Sequence, residues 1–124
     1  MKLIIAGSRN ITNYSLVRQA VISSGWWSKD IEIVSGMAKG VDTLAVEFAK
    51  RNSLKLHQFE ADWNYHGKAA GPLRNREMAE FADALIAVWD GQSKGTENMI
   101  KEMTKLSKPT YVLYANDFIG VDPV

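Results

Sequence analysis

Four stretches of the chain gather glycine, arginine, hydroxyl and carboxylate side chains: Gly7-Ser8-Arg9-Asn10, Ser35 to Asp42, Asp62 to Asn75, and Asp90 to Thr96. In the second, Gly36 and Gly40 bracket a turn, and in the fourth Gly91 and Gly95 do the same ahead of Thr96. Glycine lets backbone N–H groups come close to an anion, and a helix starting there adds the favourable end of its dipole. The chemistry that fits is phosphate binding. For either loop alone, a tight strand-to-helix turn is the plain alternative. Neither loop is a Walker A sequence or a Gly-x-Gly-x-x-Gly fingerprint.

Arg9, Lys39, Lys68, Arg74, Arg76 and Lys94 lie in or beside these stretches. An arginine forks two hydrogen bonds onto a phosphate. Lys39, Arg76 or Lys94 taken singly read equally well as solvated surface charge. Arg74 is expected to open a helix just after Gly71-Pro72, where a cation opposes the dipole and calls for an anionic partner. Asp42 would orient its loop or bond a ribose hydroxyl. Trp63, Tyr65 and His66 offer stacking surfaces for a base or sugar, or else fold their own loop onto the domain. The carboxylates able to act as general base near these loops are Asp42, Asp62, Asp90 and Glu97, and spacing singles out none of them.

All four stretches follow segments that read as strands. Lys2 to Ala6, Asp30 to Ser35, Leu54 to Phe59, Ala84 to Trp89 and Pro109 to Tyr114 are short apolar or alternating runs rich in β-branched residues. Between them lie helical patterns. Tyr14 to Ser24 has Leu16, Val17, Ala20 and Val21 on one face, with Asn13 as N-cap and Gly25 just past the end. Val41 to Lys50 places Val41, Leu44, Ala45, Phe48 and Ala49 at helical spacing. Pro72 suits the first turn of a helix running to about Ala82, and Thr96 to Leu106 turns Met99, Ile100, Met103 and Leu106 inward. Glu60 to Ala70 reads as a polar, aromatic loop, and the residues after Tyr114 as a tail. Alternating strands and helices imply parallel crossovers. The expected fold is a single three-layer, Rossmann-like α/β domain over residues 1–124, with helices on both faces of a five-stranded, mainly parallel sheet of order 3-2-1-4-5. In such sheets ligands bind beyond the carboxyl ends of the strands, at the switch point between the first and fourth.

Composition narrows the classes further. A length of 124 residues fits one domain, and 46% hydrophobic residues can build a core. With no cysteine there is no disulfide, thiolate zinc site or thiol catalysis. Two histidines without His-x-x-x-His spacing give no metal site. No apolar run reaches the roughly 18 residues of a membrane span, and the N-terminus lacks the pattern of a signal peptide, so the cytoplasm is the expected compartment. A net charge of +1 is low for a nonspecific DNA binder. The adjacent Trp26 and Trp27 would pack under the second strand or form a patch between two copies of the chain.

Taken together, Gly7-Ser8-Arg9, Ser35-Gly36-Met37-Ala38-Lys39-Gly40-Val41-Asp42, Arg74-Asn75-Arg76 and Ser93-Lys94-Gly95-Thr96 resemble the SLOG superfamily of Rossmann-like domains. That group joins the Smf/DprA DNA-processing proteins and the "lonely guy" phosphoribohydrolases. Trp63, Gly67-Lys68-Ala69-Ala70-Gly71-Pro72 and Arg74-Asn75 are most similar to its small YspA/YpsA-related branch, found in bacteria and phages. The resemblance implies a nucleotide or nucleotide-derived ligand, such as a nucleoside phosphate or an ADP-ribose-like signal, held by a sensing or sequestering module that requires no cofactor. It implies ligand contacts from Gly7, Ser8, Arg9, Ser35, Gly36, Lys39, Gly40, Asp42, Trp63, Lys68, Arg74, Asn75, Ser93, Gly95 and Thr96. Hydrolase members of the superfamily carry Gly-Gly-x-Gly-Thr-x-x-Glu, and Met99 stands where that glutamate would be, although the matching arginine is retained as Arg74. N-glycosidic hydrolysis, the first alternative, would need Glu97 or Asp90 as substitute. The second alternative is single-stranded DNA binding in the manner of DprA, along Arg9, Lys39, Lys68, Arg74 and Arg76 with Trp63 as stacking platform. Homo-oligomers are common in the superfamily.

Overall fold

A computed structural model describes residues 1–115 of the chain. The elements are β1 (Lys2–Gly7), α1 (Tyr14–Ser24), β2 (Glu32–Ser35), α2 (Val41–Arg51), β3 (Leu56–Gln58), α3 (Trp63–His66), a 3-10 turn (Gly67–Ala69), α4 (Ala70–Phe81), β4 (Ala84–Trp89), α5 (Lys94–Lys105) and β5 (Thr110–Tyr114). The strands form one sheet in the order β3-β2-β1-β4-β5, and every pairing is parallel. The tail expected after Tyr114 lies, from residue 116 on, outside the described residues.

A strand turns successive side chains to opposite faces, and the two halves of the core follow from that alternation. Leu3 and Ile5 of β1, with Ile86 and Val88 of β4, meet Val17 and Val21 of α1 and Val41 and Phe48 of α2. Ile4, Ala6, Leu85 and Ala87 point the other way, onto Met78 of α4 and Met99 and Met103 of α5. Because β1 and β4 are covered on both sides, they read as unbroken apolar runs. Each fully buried Leu or Ile contributes roughly 2 kcal/mol. Local signals set the ends of α1 as expected. The Asn13 side chain accepts from the Ser15 amide at 3.0 Å, and Gly25 takes the left-handed conformation at φ 79°.

Several elements differ from expectation. Residues 60–70 are not an open loop. Asp62 caps α3 by accepting from the Tyr65 amide at 3.1 Å, and the chain runs through the 3-10 turn into α4, which begins at Ala70, two residues before Pro72. Arg74 therefore sits in the second turn of α4, not at its start. Gly71 gives the reason: a Cβ there would stand 3.2 Å from the Trp63 ring, so its absence lets Trp63 lie against α4. β2 and β3 are shorter than the runs that announced them. α5 starts at Lys94, and Leu106, expected inward, is 44% exposed because the helix has ended at Lys105. Trp26 packs against the α1/α2 side of the core, whereas Trp27 stays half exposed, edge-on to Phe48 with ring centroids 5.9 Å apart. His57 is structural: its Nε2 lies 2.6 Å from Glu32 Oε1 and its ring packs on Phe81. Among the described residues, no helix is long and apolar enough to cross a membrane.

Candidate functional site

Beyond the carboxyl ends of β1 and β4, where the connections leave the sheet in opposite directions, lies a cleft of about 370 Å³. Its walls come from the loops after β1, β2 and β4 and from α4 and α5.

Ser8 holds the base of the cleft together. It is fully buried and its hydroxyl accepts from the Asp90 amide at 2.9 Å, while its carbonyl accepts from the Val41 amide at 3.3 Å. One serine thus ties the end of β1 to the start of α2 and to the loop after β4. The next residue, Arg9, is exposed and lines the cleft with Asn10.

The second loop folds around its own carboxylate. Ser35 Oγ donates to the Asp42 carbonyl at 3.0 Å and accepts from the Met37 amide at 3.1 Å. The Ala38 amide donates to Asp42 Oδ2 at 3.1 Å. At Gly40, φ is 73° and a Cβ would stand 2.4 Å from the Ser8 carbonyl oxygen, so only glycine fits. The start of α2 is therefore already served by Asp42, and from this loop only Ala38 and Asp42 face the cleft.

Arg74 reaches across from α4. Its Nη1 donates to the Gly36 carbonyl at 2.5 Å and its Nε to Asn75 Oδ1 at 3.0 Å. A Cβ on Gly36 would lie 2.8 Å from Arg74 Nη1 and 2.9 Å from Asp42 Oδ2, so the bare Gly36 backbone is what lets both groups close over it. Asn75 in turn donates to the Gly95 carbonyl at 3.2 Å and to Asn98 Oδ1 at 2.9 Å, which fixes α4 against the first turn of α5.

Asp90 braces the fourth loop. It accepts from the Gln92 and Ser93 amides, both at 2.8 Å, and from the Ser93 hydroxyl at 3.2 Å. With the Ser93 hydroxyl so engaged, no side chain caps α5, whose first residues Lys94, Gly95 and Thr96 line the cleft. Uncapped N–H groups at a helix start are donors for an anion.

The charges follow from these surroundings. Burial pushes the Asp42 carboxyl up to about 6, although the Ala38 amide, Arg74 and Arg9 work against the rise. Burial also lowers Arg74, with Asp42 opposing. Burial would raise Asp90, but its amide and hydroxyl donors outweigh that and hold it below the usual carboxylate range.

Of the residues expected to touch a ligand, Gly7, Arg9, Asp42, Arg74, Asn75, Ser93, Gly95 and Thr96 come together around the cleft. Ser8, Ser35, Gly36 and Gly40 stand behind them and build the walls. Lys39, Trp63 and Lys68 are exposed and do not line it. Of the two carboxylates that could substitute for the missing glutamate, Asp90 lines the cleft, whereas Glu97 faces solvent with Lys101 3.6 Å away. Met99 lines the cleft at 2% exposure. Ala38, inside the Ser35 to Asp42 stretch, lines the cleft as well, and Asn98, which accepts from Asn75 at 2.9 Å, carries no signal in the sequence. Among the described residues, no cluster of three or more metal-ligating side chains occurs.

A parallel 3-2-1-4-5 sheet with a cleft at its switch point defines a Rossmann-like α/β domain. The model of the YspA, cpYpsA-related SLOG family matches residues 1–66. The Gene 61 protein of Mycobacterium phage D29 is 33% identical over 117 residues, which span 87% of this chain and 92% of that protein. The chain belongs to the YspA, cpYpsA-related SLOG family. In fold it is similar to DNA processing protein A (DprA) from two bacteria. With the Helicobacter pylori protein, described for its single-stranded DNA binding mode, the TM-score is 0.66 at 24% identity, over 94% of this chain and 66% of that one. With the Streptococcus pneumoniae protein the TM-score is 0.72 at 19% identity, over 98% and 53%. The chain thus spans between half and two thirds of the DprA chains it superposes on.

Proposed function

We propose that this chain binds a nucleotide or nucleotide-derived ligand by its phosphate in the cleft between β1 and β4, as a sensing or sequestering module. One observation carries the reading. Arg9, Arg74 and the uncapped start of α5 converge on a single cavity at the switch point of the sheet. Two guanidinium groups and a helix N-terminus together match the charge and the acceptor geometry of a phosphate. Turnover has less support. Met99 puts a thioether where an acid would act, Asp90 is occupied with its own loop, and Glu97 faces away.

The test is titration calorimetry with adenosine 5′-monophosphate and ADP-ribose. Arg9 makes no hydrogen bond or ion pair among the described residues, so Arg9→Ala removes a cleft cation and breaks no such contact, although its charge also acts on Asp42 and Arg74. We expect saturable binding that weakens about tenfold or more in Arg9→Ala and in Arg74→Ala. Equal affinity in all three proteins would place the ligand elsewhere.

A second reading, single-stranded DNA, is favoured by the likeness to the DNA-binding H. pylori protein and by the exposed cations Arg9, Lys39, Lys68, Arg76 and Lys94.

A further inference from the structure

We infer that Asp42 reads a sugar hydroxyl, so that the cleft selects ribonucleotides over their deoxy counterparts; this rests on the nucleotide reading above. Asp42 is a cleft-lining carboxylate with 6% exposure. Its Oδ2 accepts from the Ala38 amide and lies against Gly36. Its Oδ1 has no protein donor among the described residues. A carboxylate oxygen beside an anion site repels a phosphate unless the ligand itself brings a donor.

The position of Asp42 says which donor. It lies beside Arg74, over the same glycine, and therefore next to the cations that would hold the phosphate. In a nucleotide the group adjoining the phosphate is the sugar, and the base lies further off. A single free oxygen suits one hydroxyl, not the two-point contact that a base edge would ask for. The carboxylate is also held in place before any ligand arrives, by the Ala38 amide on one side and by the Ser35 hydroxyl on its own carbonyl. The same chemistry disfavours DNA, whose sugars lack the 2′-hydroxyl and whose 3′-oxygens are esterified along the strand.

The experiment compares adenosine 5′-monophosphate with its 2′-deoxy and 3′-deoxy analogues at pH 7.5, on the wild-type chain and on Asp42→Asn. Asparagine can still accept from Ala38 while offering the cleft an N–H donor in place of an acceptor. A thermal melt checks that the variant is folded, and Asp42→Glu is the fallback if it is not. We expect one deoxy analogue to bind the wild-type about tenfold to a hundredfold more weakly than the ribonucleotide, and the difference to vanish in the variant. Equal wild-type affinity for all three nucleotides overturns this inference and leaves the phosphate reading standing. A ribose preference that survives Asp42→Asn assigns it to another residue and overturns the inference as well. No binding of any of the three, or of ADP-ribose, overturns the nucleotide reading and this inference with it.

Discussion

Asp42 is buried and lines the cleft, so one carboxyl carries both a stability prediction and the proposed hydroxyl contact. Its carboxyl is raised by burial to about 6, against an ordinary value near 3.8. The folded chain therefore holds this proton more tightly than the unfolded chain does. From about pH 4 up through the folded value of about 6 the native state binds more protons, so the Asp42 contribution to stability falls as pH rises and levels off only about one pH unit above that value. The span corresponds to something on the order of 3 kcal/mol. Arg74 and Arg9 are the charges facing it, and both act to limit the rise. Asp90 has the opposite sign, since its depressed carboxyl stabilises the fold above its unfolded value and loses that effect in acid. Urea midpoints of wild-type and Asp42→Asn, measured from pH 4.5 to 7.5, separate the two. We expect the wild-type to lose stability relative to the variant across that window. Parallel curves would mean that Asp42 is solvated in the native state.

The connections between elements depend on a few backbone positions. Gly40 and Gly25 both have positive φ, at 73° and 79°. Their surroundings differ. A Cβ on Gly40 would press 2.4 Å from the Ser8 carbonyl oxygen and 2.6 Å from the Arg9 backbone, whereas a Cβ on Gly25 meets nothing within 4 Å. Gly25→Ala should therefore cost only about 1 kcal/mol, the left-handed penalty alone. Gly40→Ala adds a backbone collision at the junction of β1 and α2 and should cost roughly 3 kcal/mol or more, with loss of ligand binding. Chemical denaturation of the two variants checks the ordering, and a mild Gly40→Ala would show that this junction can move apart. Lys108 makes a complementary connection that the sequence did not announce. Its ammonium donates to the carbonyls of Ala79, Glu80 and Ala82 at 2.7, 3.1 and 2.8 Å, closing the end of α4 from a residue just before β5.

At the scale of the whole molecule, charge separates a small-ligand site from a nucleic-acid track. The chain carries 15 basic and 14 acidic residues, and its exposed lysines and arginines are partly answered, as in the Arg51–Glu47 and Lys101–Glu97 pairs. With few phosphates neutralised, binding to oligo(dT) should be weak or absent at 50 mM salt. Fluorescence anisotropy with a labelled twenty-mer tests this, and micromolar or tighter binding with a steep salt slope would transfer the function to single-stranded DNA. The architecture itself was largely written in local pattern. Alternating Leu3, Ile4, Ile5 and Ala6 made a two-faced strand, Val41, Leu44, Ala45 and Phe48 a one-faced helix, and Asn13 and Gly25 the ends of α1, because these signals act within a few residues of chain. Residue type and loop position also marked several of the loops that border the cleft. What only the tertiary structure decided is who faces whom. Asp42 and Arg74 close over Gly36, Ser8 bonds the Asp90 amide 82 residues away, and Trp63 turns onto Gly71 and away from the cleft. Those contacts depend on the register of β1 against β4 and on how α4 docks. They are distances through space, and the spacing of residues along a chain does not encode them.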